Sequence, residues 1–170
     1  MAVKIVGALL VLMGTGGIGY LKCQGYRREI SAIGELVTAL DWMGWELQDK
    51  LLPVQCLCQS AAEHCNGKVQ KVLISLGQEL ENRIAPDVLC CMEIAIKRVD
   101  GIPPATKAHL IQLGRCLGKM DLQGQLSSLE GLKEGCEKDL EFLERNRQLR
   151  LRNYQTLGFC GGVALVVLFI

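Results

Sequence analysis

Four side chains close together in the sequence carry atoms that can bind zinc, those of Cys56, Cys58, His64 and Cys65. Structural zinc sites usually present C-x2-C pairs separated by a loop. Here the C-x-C spacing falls on a predicted helix, where positions two apart point about 200° away from each other around the axis. We therefore expect these thiols to face the core without a metal ion, and we expect no cofactor elsewhere.

The sequence offers no pattern that would support catalysis. Around His109 it places no serine, cysteine or carboxylate in the arrangement of a catalytic triad. The glycine-rich run at 14–17 lacks the lysine and the strand-to-helix setting of a phosphate-binding loop. Because no nucleophile, base and oxyanion site occur together, we expect the protein not to be an enzyme. A membrane-tethered enzyme, or a redox or metal sensor with a cysteine-based site, is the alternative.

The two tryptophans are candidates for partner binding. Trp42 and Trp45 are three residues apart on one predicted helix. The apolar periodicity places Trp45 near the core and directs Trp42 away from it. A second packing layer is the simpler explanation of Trp42, whereas an exposed tryptophan would be typical of a binding hot spot. Trp42 is therefore a candidate docking residue.

The elements that would position these residues lie between two apolar ends of the chain. Residues 5–21 would span about 25 Å as a helix, close to a bilayer core of about 30 Å. Residues 157–170 form a shorter apolar run, preceded by Tyr154 at the expected membrane interface. We expect a tail at 1–4, transmembrane helices at 5–21 and 157–170, and a cytoplasmic helical bundle at 22–156. Cleavage of the first run as a secretory signal is the alternative.

Basic residues set the expected orientation. Arg27 and Arg28 follow the first span and four arginines in 145–152 precede the second, whereas only Lys4 lies beyond either span. The positive-inside rule therefore places the bundle in the cytoplasm and both termini outside, and the arginines favour contact with anionic membrane lipids. Setting Lys4 aside leaves 18 of the 19 basic residues against 18 acidic ones, a balance that argues against binding nucleic acid. In a reducing compartment the nine cysteines are expected to be free thiols.

The region between the spans has the pattern of an all-α protein, an antiparallel bundle of about six helices. Pro53 suits the start of the second helix, and Asn66-Gly67 is a stop signal after it. Asp121 is placed to cap a sixth helix that no proline interrupts before the chain ends. Acidic residues at 130–144 on this helix make a second candidate docking surface. The first helix carries two apolar stripes, formed by Ile30, Ile33, Val37, Leu40, Gly44 and Leu47 and by Ala32, Leu36, Ala39 and Met43.

Small residues in the second span suggest contact between helices. Gly158 and Gly162 form a G-x-x-x-G motif, which lets two membrane helices approach closely. The partner would be the first span or another copy of the chain, and the second alternative would make the protein a homo-oligomer. Incidental glycine is the alternative, since membrane helices are rich in glycine.

The carboxyl-terminal half resembles a known family through the run Leu113-Gly114-Arg115-Cys116-Leu117-Gly118, followed by Asp121, Gln125, Tyr154, Gly158 and Gly161-Gly162. The amino-terminal half agrees through Arg27, Leu36, Leu40, Glu46 and Leu47 before a proline. Together these residues resemble the stage III sporulation protein AB family over essentially the whole chain.

The resemblance implies a membrane protein made in the mother cell of an endospore-forming bacterium and lying in the membrane that faces the forespore. It further implies a body similar to the cytoplasmic domains of the platform protein of type II secretion and type IV pilus systems. The expected function is a scaffold in a secretion-like channel between mother cell and forespore, coupled to a cytosolic secretion ATPase. Glu46, Gly114, Gly118, Asp121 and Gln125 would then serve assembly or architecture.

Overall fold

The computed structural model describes the backbone of residues 2–50, 52–82, 87–119 and 121–169, and the side chains of residues 25–50, 52–82, 87–119 and 121–146. Throughout this part of the chain the regular structure is helical and contains no strand, which confirms the predicted all-α class. The helices are α1 (Ala2–Lys50), α2 (Val54–Glu63), α3 (Gly67–Glu81), α4 (Val88–Arg98), α5 (Pro104–Cys116) and α6 (Leu122–Phe169).

The two terminal helices are longer than the pattern of apolar residues alone indicates. α1 joins the first predicted span and the first predicted bundle helix, because no proline or turn sequence separates them. α6 likewise extends from its cap to the second predicted span, as the absence of proline predicted. The described part of the chain therefore has six helices in total, and this count includes the two that extend into the terminal segments.

The predicted transmembrane segments stay predictions. Among the residues whose side chains the structure describes, no helix combines the length and apolarity needed to cross a membrane. The tail at 1–4 and the spans at 5–21 and 157–170 lie outside those residues.

The chain divides into two compact units. One comprises residues 29–141 and is called the core unit below. The other combines Met1–Arg28 with Phe142–Ile170 and is helical in backbone wherever it is described. All the contacts discussed below lie within the core unit.

Helix α1 has buried residues on two adjacent stripes in the core unit, as its periodicity predicted. A helix with one packed face buries a single stripe, so this pattern indicates neighbours on more than one side. The buried positions are Ala32, Ile33, Leu36, Ala39, Leu40, Met43 and Leu47.

Consecutive short helices pack on one another in order along the chain. α2 contacts α3, α3 contacts α4, and α4 contacts α5. Short connections between neighbouring helices produce this succession in an antiparallel bundle. Pro53 immediately precedes α2, and Pro104 occupies its favoured place in the first turn of α5.

The Asn66-Gly67 pair opens α3 and does not close α2, which ends earlier at Glu63. Gly67 has a φ of +67°, and a Cβ there would lie 2.9 Å from the carboxylate oxygens of Glu35. That carboxylate accepts a hydrogen bond from the backbone N–H of Val69, so α1 supplies an anion to the first turn of α3. The chain thus breaks between α2 and α3 as predicted, but Asn66-Gly67 lies at the start of α3, where Glu35 of α1 contributes.

Candidate docking surface

A cluster of aromatic and polar side chains joins α1 to α2. The indole Nε1 of Trp42 donates a hydrogen bond to Ser60 Oγ at 3.0 Å. The ring of His64 lies against the same indole, with 3.6 Å between ring centroids. The Trp45 ring is 5.2 Å from that of Trp42, also between centroids. These four residues are called the tryptophan cluster below.

The packing of Trp42 against α2 agrees with the second packing layer favoured for it, whereas the exposure of Trp45 differs from its predicted place near the core. Trp45 is 52% exposed, whereas Trp42 is half-buried beneath the α2 side chains that contact it. The periodicity was ambiguous because α1 buries two stripes. Trp45 lies about 200° around the helix from the buried Met43 and therefore points away from the core. The exposed member of this pair is Trp45, and the half-buried Trp42 lies against it.

Glu46 follows Trp45 and is almost completely buried, with 3% of its surface exposed. Its Oε1 lies 3.6 Å from Lys50 Nζ, one helical turn further along. Its Oε2 is buried and has no hydrogen-bond partner among the described residues. The same Lys50 ammonium lies 5.5 Å from the centroid of the Trp45 ring. One lysine thus lies between a buried carboxylate and an exposed indole.

An acidic stripe on α6 borders this part of α1. Glu130, Glu134, Glu137 and Glu141 are exposed and spaced by four, three and four residues, so they share one helix face. Lys133 of α6 contacts Asp41 Oδ1 of α1 at 2.5 Å. That hydrogen bond is the main reason that the pKa of Lys133 is raised. The two surfaces that the sequence proposed for docking are therefore adjacent.

The residues of the corner between α5 and α6 serve packing and chain reversal. A Cβ on Gly114 would lie 2.8 Å from Met92 Cβ, so α4 and α5 approach closely there. Gly118 has a φ of +77°, the left-handed conformation that ends α5. Asp121 Oδ1 accepts the backbone N–H of Gly124 at 3.1 Å, which is the predicted N-cap. The backbone N–H of the half-buried Gln125 donates to the Asp121 carbonyl oxygen at 2.9 Å.

The predicted site residues therefore fall into two groups. Trp42 and Glu46 lie on α1 beside the exposed Trp45. The corner between α5 and α6 contains the other four, Gly114, Gly118, Asp121 and Gln125. Gly158 and Gly162 lie outside the residues whose side chains are described. Sequence reasoning missed the contributions of Trp45 and Lys50, although the spacing of Glu46 and Lys50 is the usual one for an ion pair on a helix.

Cysteine chemistry has little support in the described part of the chain. Burial raises the pKa of Cys58 to about 12 and that of Cys65 to about 11, the latter with a smaller effect from Glu35. Such thiols hold almost no thiolate, the form that attacks substrates and binds metals. No three His, Cys, Asp or Glu side chains meet at metal-binding geometry among the described residues.

The arrangement closest to a catalytic triad involves His109, whose Nε2 lies 2.8 Å from Asp139 Oδ2. Cys136 is on the same helix as Asp139 and is fully buried. Burial raises its pKa to about 12, and the Asp139 charge adds to the shift. A nucleophilic cysteine needs a lowered pKa, which is the opposite of the shift at Cys136, and the His109–Asp139 contact links α5 to α6.

Comparison with known proteins identifies relatives of the chain. The family model described as stage III sporulation protein AB matches residues 4–170. No curated protein sequence matches. Among solved structures, a stage III sporulation protein AB is similar with a TM-score of 0.62 and 17% sequence identity, over 72% of this chain and 98% of that chain. The structural likeness supports the fold, and a relation to the type II secretion platform stays a prediction.

Proposed function

Since this chain belongs to the stage III sporulation protein AB family, with a role in sporulation, we propose that it is a non-enzymatic, membrane-anchored platform subunit of a secretion-like channel complex. The channel would join the mother cell to the forespore. The proposal is supported by two features of the core unit, an exposed tryptophan on α1 and an acidic stripe on α6, two helices that the Lys133–Asp41 ion pair joins. Both features are suited to contact with another protein.

The proposed location is the mother-cell membrane facing the forespore. Residues 5–21 and 157–170 would span it, with the core unit in the cytoplasm and both termini on the outer side. This placement is supported by the distribution of basic residues beside the two apolar runs. Within the membrane, the expected partners are lipids and the other channel subunits. Gly158 and Gly162 would mediate any contact between copies of the chain.

The proposed cytoplasmic partner is a secretion ATPase. Side chains of the acidic stripe would meet a basic surface on it, because complementary charge directs association and orients the partner. Trp45, which is exposed on α1, would supply the apolar contact.

Retention of the ATPase by the full-length protein in detergent tests the proposal. The double variant Glu130→Lys and Glu134→Lys should retain about tenfold less ATPase, since juxtaposed like charges cost more than 1.4 kcal/mol. Glu81→Lys with Glu93→Lys is the matched control, with the same charge change at exposed positions of α3 and α4.

Three outcomes would contradict the platform role. The first is failure of the unmodified protein to retain the ATPase. The second is a loss of ATPase retention in the control as large as that in the α6 variant. The third is release of the protein from membranes on washing with carbonate. A sporulation assay with the same variants then shows whether the contact is needed in cells.

A further inference from the structure

Glu46 has a carboxylate that its own chain satisfies incompletely. The distance of 3.6 Å from Oε1 to Lys50 Nζ exceeds the usual length of a charged hydrogen bond. Oε2 has no partner among the described residues, although it is buried. Buried carboxylates are normally paired and hydrogen-bonded, so the Glu46 carboxylate is incompletely satisfied by its own chain.

Trp45 provides an aromatic face next to that carboxylate. It is held in place from one side, because Trp42 lies against it and is itself fixed by Ser60 and His64. Lys50 Nζ is close to both the indole and the carboxylate, so a single cation can interact with the two groups together.

Charge around Trp45 favours a cation as the ligand. Asp41 and Asp49 lie four residues before and after it and are exposed on the same face of α1. Asp41 is already bonded to Lys133, whereas Asp49 is exposed at the end of the helix nearest Lys50. These charges would repel anionic lipid headgroups, and they attract a basic segment of a protein.

We propose that Trp45 and Glu46 form an anchor site for an arginine side chain of a partner protein, with Lys50 as the internal cation that the arginine displaces. A guanidinium group is planar, stacks on indole and can at the same time donate a charged hydrogen bond to Glu46 Oε1, the oxygen that faces Lys50. Lysine is a point charge and does not stack on indole in this way. This inference rests on the proposed platform function, because it defines the chemistry of the partner.

The chain contains two tryptophans, both in this cluster, so their indole N–H signals report on the site directly. Full-length protein labelled with ¹⁵N-tryptophan, in detergent, is titrated with a blocked Gly-Gly-Arg-Gly-Gly peptide. We expect a saturable shift of the Trp45 signal with the arginine peptide, a weaker response to its lysine counterpart, and none with the citrulline counterpart, which is neutral but similar in shape.

Two variants and one control test the assignment. Glu46→Gln should weaken binding of the arginine peptide by about tenfold or more, because it removes a hydrogen bond to a charged group. Lys50→Ala removes the competing cation and should tighten binding by about threefold or more. Gln48→Ala, at an exposed position on the same helix, should leave binding unchanged.

Equal shifts with the citrulline peptide would overturn the proposal, as would a Lys50→Ala variant that binds no better than the unmodified protein. Lys50 is exposed, so Lys50→Ala should fold and still test the site if Glu46→Gln fails to fold. If the unmodified protein retains the ATPase but does not bind the arginine peptide, only the anchor site is refuted. Failure to retain the ATPase, with peptide binding intact, would refute the platform role instead.

Discussion

Replacing Gly114 with alanine tests whether this glycine is present for packing. A Cβ at this position would lie 2.8 Å from Met92 Cβ and 3.4 Å from the Cα of Leu89. Because these atoms belong to or adjoin the α4 backbone, no change of side-chain rotamer relieves the contact. Helices α4 and α5 would have to separate.

The expected magnitude follows from two opposing effects. Alanine is favoured over glycine inside a helix by about 1 kcal/mol. Inserting an extra carbon into a well-packed core costs about 1–3 kcal/mol, and the contact at Gly114 is tight enough to approach the upper value. We expect Gly114→Ala to destabilise the protein by about 1–2 kcal/mol net.

Gly131 of α6 is the matched control, because a Cβ there meets nothing within 4 Å. Gly131→Ala should therefore show only the helix preference and stabilise the protein by up to about 1 kcal/mol. Thermal unfolding of the full-length protein in detergent, followed by circular dichroism, should place the two variants roughly 5–10 °C apart in Tm. Equal melting of the two variants would refute the close packing at Gly114.

Three further predictions concern the cap, an ion pair between Arg98 of α4 and Glu79 of α3, and a buried thiol. Asp121→Ala removes the hydrogen bond to the first turn of α6 and should cost about 1 kcal/mol in thermal unfolding; an unchanged Tm would exclude the cap. Arg98 is half-exposed and pairs with the buried carboxylate of Glu79, so Arg98→Ala should cost about 1–3 kcal/mol, whereas the exposed Arg115→Ala should cost less than about 0.5 kcal/mol. Burial raises the pKa of Cys58 from 9.0 to about 12, so the thiol favours folding fully below pH 9 and progressively less as pH rises towards 12. A Cys58→Ala variant should therefore lose less stability between pH 8 and 10.5 than the unmodified protein, and parallel curves would contradict this cause.

Local sequence was sufficient to predict most of the helical framework. The two buried stripes of α1 and the capping aspartate Asp121 depend on spacing and backbone conformation within one or two turns. Such features are determined by neighbours in the chain, which is why the pattern predicted them.

Three features could not be predicted in this way. Which tryptophan is exposed depends on α2, whose Ser60 and His64 contact Trp42 and leave Trp45 at the surface. The start of α3 depends on Glu35 from α1, although Asn66-Gly67 has the composition of a stop signal. The bond from Lys133 to Asp41 likewise joins α6 to α1.

The sequence by itself determined the helical class, the order of helices in the core unit and the chemistry available to each. The tertiary structure alone decided which of those side chains meet, and it left Trp45 exposed beside a buried and incompletely paired Glu46. The physical reason is that periodicity identifies the buried faces of a helix, whereas the neighbour that covers each face, and hence the edge that stays exposed, depends on helices distant in the chain.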